Sequence, residues 1–438
     1  VLSDQKIQIV VVGGGAGGLE LVRRLGSKFG RKAHDIILVD RNQTHIWKPL
    51  LHEVAAGSLD ANLDEVGYGG HAVRWGYRFF NGTLESIDRT TKHITTAPLI
   101  DDQGKQVIGR HRIRYDYLVL AFGGVSNDFG TPGVREHAQF LEHRAQADSF
   151  RQRLLNACLR ANHEHNTGNP EARVRICIIG GGATGVELSA ELYNAAKALR
   201  NYGLEVFDES KLEVTLVEAG PRILPQIDAE LAGVARKELE HLGVSVRENT
   251  QVVSVAENSV ETKSGETIPA DLIVWAAGVK GADGVNEMSD LELNRLGQFV
   301  VRPTLQTSHD DHIFALGDCA SCLLPGAERP IPPRAQSAHQ MASHIFDNLC
   351  RMQQGKPLKD FVYKDHGSLV SLSRFSTVGS LMGNLVGGRM AVEGRLARWA
   401  YQSLYRMHLI AIHGWLRGVS LIVIGHVNQI VRPKLKLH

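Results

Sequence analysis

What this chain lacks narrows it first. It has five cysteines, Cys158, Cys177, Cys319, Cys322 and Cys350, too few and too irregularly spaced for a secreted disulfide framework, so a reducing compartment is expected. No apolar run reaches the eighteen or so residues of a membrane span. No signal peptide is expected, since a strand pattern begins almost at once, although a targeting segment removed from ahead of Val1 would leave the same start. Charge of one sign is missing overall: 49 Lys and Arg against 47 Asp and Glu leave a formal net charge of +2, which does not suit a nucleic-acid binder. Cys319 and Cys322 spell C-x-x-C, but there is no second pair for zinc, and no metal site is expected. The pair is either a redox disulfide or two small packed residues. What remains, 438 residues with 43% hydrophobic content, suits a soluble globular enzyme of two or three domains.

The most informative stretch is Ile7 to Gly18. The apolar run Ile7–Val12 reads as a buried parallel strand. Gly13, Gly15 and Gly18 then fit G-x-G-x-x-G, and Leu19, Leu21, Val22 and Leu25 start a helix. Asp40 closes the next apolar run, Ile36–Val39. Each part has a physical task in binding a dinucleotide. Gly13 permits the tight turn, Gly15 lets a pyrophosphate approach the backbone, and Gly18 lets helix and strand pack. The helix N-terminus offers free N–H groups to phosphate. Asp40 accepts hydrogen bonds from a ribose.

The motif recurs. Val174–Ile179 is a strand, Gly180, Gly182 and Gly185 repeat the glycine spacing, and a helix follows through Leu188 to Leu199. After a polar loop, Asn201 to Lys211, the strand Leu212–Val217 ends in Glu218. One site then suits FAD as a fixed redox group and the other NAD(P)H as a diffusing hydride donor. Glu218 bonds a free ribose 2′-OH and repels a 2′-phosphate, favouring NADH, although Arg222 close by is able to counter it.

Between these anchors lie weaker signals. Trp47–Gly57 reads as a loop and short helix lining a cofactor or, alternatively, as a surface loop. Lys48, Pro49 and His52 are its members nearest to chemistry, with His52 read first as a structural histidine. Residues 78–120 are short strands, and Tyr117–Ala121 is buried, ending at Gly123-Gly124. Residues 144–165 and 228–242 have helical spacing. Ala270–Trp275 is a strand ending in Ala276-Ala277-Gly278. Residues 299–316 return to strand and end at Gly317-Asp318, where Asp318 bonds a flavin or serves a turn. Pro332-Pro333 opens a helix on which Gln336 and Gln340 share one face, suited to carbonyls of a flavin or quinone, or else forming a solvated stripe.

Charge becomes one-sided only at the C-terminus. Arg395 to His438 contains no Asp or Glu, while Arg395, Arg398, Arg406, Arg417, Arg432, Lys434 and Lys436 are basic. Leu396, Trp399, Ala400, Leu404, Met407 and Ile410 recur at helical spacing, Gly414 breaks the pattern, and Val419–Val427 is apolar again. This is the profile of a monotopic surface helix on an anionic membrane, with Trp399, Tyr401, Tyr405 and Trp415 at interface depth. An oligomer contact or a core helix is the other reading.

The first glycine motif, Trp47–Gly57, Ala121–Gly123, GGGATGVELSAEL from Gly180, EAGPRILP from Glu218, VWAAGV from Val274, GDCA from Gly317 and AQSAHQ from Ala335 occur in one order. In these the chain resembles the two-dinucleotide-binding-domain flavoproteins and, among them, the type II NADH:quinone oxidoreductases, single-subunit dehydrogenases that pump no protons. Phe122 departs from the superfamily's A-T-G element. The resemblance implies an α/β fold with two Rossmann-like domains and a C-terminal amphipathic helical membrane-association region. The expected division is residues 1–143 and 286–360 for FAD, 144–285 for NADH, and 361–438 for quinone and membrane. It implies noncovalent FAD on Gly13, Gly15, Gly18, Asp40 and Asp318, and NADH on Gly180, Gly182, Gly185 and Glu218. The wider expected cofactor set adds Ala16, Gly17, Arg41, Lys48, Ala121, Gly123, Ala183, Thr184, Ala277, Gly278, Gly317, Ala335 and Gln336. Gln336 and Gln340 are placed at the quinone end of the flavin. Glu187 matches a family glutamate at the nicotinamide–flavin contact, or is simply a first-turn acid favoured by the helix dipole. A homodimer on the cytoplasmic face of a bacterial inner membrane is expected. A reductase of a ferredoxin-like protein, a sulfide:quinone enzyme and a flavin-binding redox sensor are the rival readings.

Overall fold

The computed structural model describes residues 6–199, 209–365, 367–372, 376–383 and 388–431, and side chains are not described for residues 31–33, 63, 198, 366–403 and 425–438. The chain divides into two compact units: Val1–Trp47, Glu65–Val125 and Val279–Lys364 form one; Lys48–Asp64, Ser126–Gly278 and Asp365–His438 form the other.

The first unit is built on a five-stranded parallel sheet in the order Ile313–Ala315, Tyr117–Leu120, Ile7–Val12, His34–Asp40, Arg78–Asn81. Its central strand is IQIVVV, and Ile9, Val10 and Val11 are fully buried. A parallel strand covered on both faces needs such a continuous apolar run, with β-branched residues suited to the pleat. The helix Ala16–Ala33 covers one face through Leu19, Leu21, Val22 and Leu25, all fully buried. The helix Ala335–Gln353 packs beside it. An antiparallel sheet of His111–Arg114, His93–Thr96 and Leu84–Asp88 completes this unit's larger elements. The expected strand over 299–316 is two strands, Phe299–Val301 and Ile313–Ala315. Pro303 and a left-handed Leu305 (φ +67°) interrupt it.

The second unit repeats the plan with four parallel strands, Ser245–Arg247, Leu212–Val217, Val174–Ile179 and Leu272–Trp275. The helix Ala183–Leu199 follows the central strand. Two antiparallel sheets are added, Val252–Ala256 with Ser259–Thr262 and Thr267–Pro269, and Gly367–Leu372 with Ser376–Gly383 and Gly388–Glu393. The last of these lies in the 361–438 region ahead of the helical spacing that starts near Leu396, and helix begins at Gly394. There Gly394–His413 and Trp415–Val431 form a hairpin at Gly414 (φ +75°). Gly418 makes the close crossing, since a β-carbon there would lie 2.7 Å from the Ile410 Cα. Arg432, Lys434 and Lys436, the side chains of the 395–403 stretch, and residues 201–208 of the polar loop lie outside what is described.

Candidate active site

Both glycine motifs fold into the same arrangement. In each sheet the central strand is flanked by its two neighbours in parallel register, Val12 beside Val39 and Leu120, and Ile179 beside Val217 and Trp275. The strand ends therefore bring Gly13 between Asp40 and Ala121, and Gly180 between Glu218 and Ala276. A ligand crevice opens at such a point in a doubly wound sheet.

The three glycines of each motif have three different surroundings. Gly13 and Gly180 turn with φ of +105° and +116°. A β-carbon on Gly13 would lie 2.5 Å from the Ala121 carbonyl, and one on Gly180 would lie 2.7 Å from the Ala276 carbonyl carbon. The third glycines are closed in more tightly: β-carbons on Gly18 and Gly185 would meet the carbonyl oxygens of Gly13 and Gly180 at 1.9 and 2.0 Å. The middle glycines are open. A β-carbon on Gly182 would have no neighbour within 4 Å, and one on Gly15 only the Ala121 oxygen at 3.8 Å. A pyrophosphate needs that open backbone, directly before the N-termini of the helices that begin at Ala16 and Ala183. Neither helix has an acid in its first turn, so nothing there opposes a phosphate. Gly17 is instead a packing position, where a β-carbon would lie 2.6 Å from Leu316 Cδ1.

The closing acids are held alike. Gly14 N–H donates to Asp40 Oδ2 at 2.6 Å and Asn42 N–H to Oδ1 at 2.7 Å. Gly181 N–H donates to Glu218 Oε2 and Gly220 N–H to Oε1, both at 2.7 Å. Each carboxylate is thus fixed at its glycine loop and keeps lone pairs for ribose hydroxyls. Burial raises the Asp40 carboxyl above its ordinary value, against the pull of those N–H donors. Satisfaction of the loop carbonyls differs: Tyr68 OH donates to Gly14 O at 2.8 Å, whereas Leu224 N–H donates to Gly181 O at 2.7 Å. Tyr68 is a contributor that sequence reading missed, because no local pattern ties it to the glycine loop. Arg222 donates to the Leu224 and Pro225 carbonyls at 3.0 and 3.1 Å, which holds it along its own loop.

In the first unit, Gly317 (φ +69°) and Asp318 follow the Ile313–Ala315 strand, and Gly317 N–H reaches Met341 Sδ at 3.3 Å. Gln298 donates to the Asp318 carbonyl at 2.9 Å. Phe122 stands edge-on to Phe299, with centroids 6.0 Å apart. Ala335 and Gln336 open the Ala335–Gln353 helix. Gln340 is spent on the main chain: its Nε2 donates to Lys364 O at 2.8 Å and its Oε1 accepts from Lys364 N–H at 3.0 Å. Asn348 continues that role on Lys359, donating at 3.0 Å and accepting at 3.0 Å, and also donates to Thr304 O. Gln340, His344 and Asn348 thus form one ridge that straps the 356–364 segment to the helix. All five cysteines are free and buried. Burial pushes the Cys319 thiol up to about 12 and Cys322 up to about 11, so neither presents the thiolate that sulfide or disulfide chemistry requires.

In the second unit, Lys48–Leu50 forms a short 3-10 turn and Leu51–Ala56 a helix, packed on the Arg144–Asn166 and Ala183–Leu199 helices. His52 is 4% exposed and Glu187 6% exposed, and His52 Nδ1 lies 3.5 Å from Glu187 Oε2. Burial lowers His52 to about 4, against the opposing pull of the Glu191 carboxylate, so the ring is neutral at pH 7. Glu187 follows the first helical turn and is not one of its acids. Among the described residues, no cluster of three or more His, Cys, Asp or Glu is placed to hold a metal ion.

The chain is similar to proteins of one family. A sequence profile of the pyridine nucleotide-disulphide oxidoreductase family matches residues 7–342. The chain is 44% identical to a type II NADH:quinone oxidoreductase of Haemophilus influenzae, covering 98% of this chain and 99% of that protein. It is 31% identical to one of Staphylococcus aureus, over 89% and 93%. The solved structure of NDH2 from Plasmodium falciparum in complex with NADH has the same fold, with a TM-score of 0.81 over 99% of this chain and 100% of that one, at 18% identity.

Proposed function

Since this chain belongs to the type II NADH:quinone oxidoreductases, we propose that it oxidises NADH and reduces a quinone through a bound flavin, without pumping protons. The observation that carries this reading is the twofold occurrence of one cradle: a turning glycine, an open glycine, a packed glycine and a carboxylate fixed at the loop. When bound, the flavin takes up two electrons as hydride from the nicotinamide and passes them to the quinone.

We assign FAD to the first unit. Asp40 receives the adenosine ribose, the loop from Gly13 to Gly18 receives the pyrophosphate, and Asp318 and the helix start at Ala335 and Gln336 meet its other end. The second unit takes NADH, with Glu218 on the ribose of the adenosine half. Arg222 is occupied by two carbonyls and does not answer a 2′-phosphate, which supports NADH over NADPH. Of the two glutamines, Gln336 is assigned to the flavin or quinone carbonyls, and Gln340 to the strap. Glu187 is assigned a proton-holding role during turnover, with neutral His52 fixing its carboxylate.

Attachment to a membrane surface is assigned to the C-terminal hairpin. Trp415, Leu416, Val419, Leu421, Val423 and Ile424 are exposed on Trp415–Val431, an unusual concentration for a water-facing helix. Tyr405 is not part of that face: its hydroxyl donates to Asp64 at 2.9 Å. No helix among the described residues is long and apolar enough to cross a membrane. The cytoplasmic face of a bacterial inner membrane and a homodimer complete the proposal. Steady-state oxidation of NADH and NADPH by the purified protein, with the flavin released and identified, tests the assignment. The expected result is FAD and at least a tenfold preference for NADH; FMN, or equal rates, would remove it.

A further inference from the structure

A residue that neither cradle uses stands in the loop ahead of the second unit's Arg144–Asn166 helix. Phe129 has φ +51°, a left-handed conformation that Gly, Asn and Asp occupy far more readily than an aromatic residue. The residue is also 65% exposed. Both features are unfavourable locally, yet the surroundings enforce them. Phe129 N–H donates to Asn127 Oδ1 at 3.0 Å, and Gly130 N–H donates to Asp128 Oδ1 at 3.2 Å. Arg135 Nε donates to Asp128 Oδ2 at 2.5 Å, and Trp275 Nε1–H donates to Asn127 O at 2.9 Å. Backbone strain that is overdetermined in this way points to a use.

The ring's position indicates which use. It lies over Gly278, where a β-carbon would come within 2.7 Å of Phe129 Cζ. Gly278 follows the Leu272–Trp275 strand, which pairs with Val174–Ile179 on the side away from Leu212–Val217 and its terminal Glu218. A dinucleotide laid across these strand ends has its adenosine ribose at Glu218 and its pyrophosphate at Gly182. Its other half then extends toward Gly278.

We infer that Phe129 is a positioning residue for the nicotinamide half of NADH, its strained loop presenting a flat apolar ring beside the nicotinamide riboside. A relaxed glycine or asparagine at this position would leave the backbone content and the ring absent. This inference rests on reading the second unit as the NADH site, and the test separates the two. Dissociation constants of NAD+ and of ADP-ribose, which lacks the nicotinamide, are measured by equilibrium titration of the flavin-loaded enzyme and of Phe129→Asn, Phe129→Gly and Phe129→Tyr. Asn and Gly both suit the left-handed backbone. Each is expected to weaken NAD+ by about tenfold, a loss of about 1.4 kcal/mol. ADP-ribose binding should stay within about twofold and the melting temperature at or above that of the parent, while Phe129→Tyr keeps both affinities. Equal loss of both ligands in Phe129→Gly, or no loss of either, overturns the inference alone. Failure of the parent enzyme to bind either ligand overturns the reading of the second unit, and the inference with it.

Discussion

A carboxylate does different work according to what surrounds it. Asp40 and Glu218 are each tied to two backbone N–H groups, which fixes their position at the loop. Glu187 instead faces a buried neutral histidine, a setting suited to holding and releasing a proton. Glu187→Gln is expected to lower kcat by about 100-fold with NADH binding unchanged, a split visible in stopped-flow flavin reduction against steady-state turnover. His52 carries a pH consequence. Its folded value of about 4 lies below the ordinary 6.5, so between those values the unfolded chain holds more protons. The stability linked to it is complete above about pH 6.5 and is lost as pH falls through about 4. Melting curves between pH 7 and pH 5 should therefore decline less steeply in His52→Gln than in the parent. Single residues were partly legible in the sequence. The closing acids could be read because each stands at the end of an apolar run beside its own glycine motif. The meeting of His52 with Glu187, and of Tyr68 with Gly14, could not, because these partners are far apart in the chain and no spacing rule links them.

Among the elements, the parallel strands and the helices after each glycine motif follow local rules and are where periodicity and turn chemistry place them. The three strands between Gly367 and Glu393 escaped because a glycine- and serine-rich antiparallel sheet has no strong apolar alternation. Gln340 shows the same limit: residue type and helical spacing suggest a site, but not that the amide also bonds the main chain of Lys364. Asn348→Ala removes three hydrogen bonds of a buried side chain. It should cost about 2–3 kcal/mol of stability, read as a lowered melting temperature, because the main-chain groups of Thr304 and Lys359 lose their partners. Gly182→Val meets open space and should leave folding intact while abolishing NADH binding. Gly185→Ala, which meets a carbonyl at 2.0 Å, should impair folding itself; circular dichroism with nucleotide titration distinguishes the two. On the C-terminal hairpin, Leu416→Glu with Ile424→Glu should reduce sedimentation with anionic vesicles by about tenfold or more while leaving reduction of a short-chain quinone intact. Unchanged sedimentation would move the membrane contact elsewhere.

For the whole molecule, the duplication gives the functional reading its force. Two units reuse one solution to holding a dinucleotide, and their differences sort them. The first adds Asp318 and the helix starting at Ala335, and the second adds the Glu187–His52 pair and Glu218, to which we assign the preference for a free ribose 2′-hydroxyl. Family membership makes the acceptor a quinone, and burial raises the thiols of Cys319 and Cys322, the only cysteines near the first unit's Asp318 in sequence, which disfavours them as nucleophiles for sulfide chemistry. The most direct test follows the flavin spectrum anaerobically while NADH, and then a short-chain quinone, is added to the purified protein. Rapid bleaching by NADH is expected, with much slower bleaching by NADPH and full return of the oxidised spectrum on adding quinone. A flavin that NADH reduces but quinone leaves bleached would contradict the assignment of quinone as acceptor.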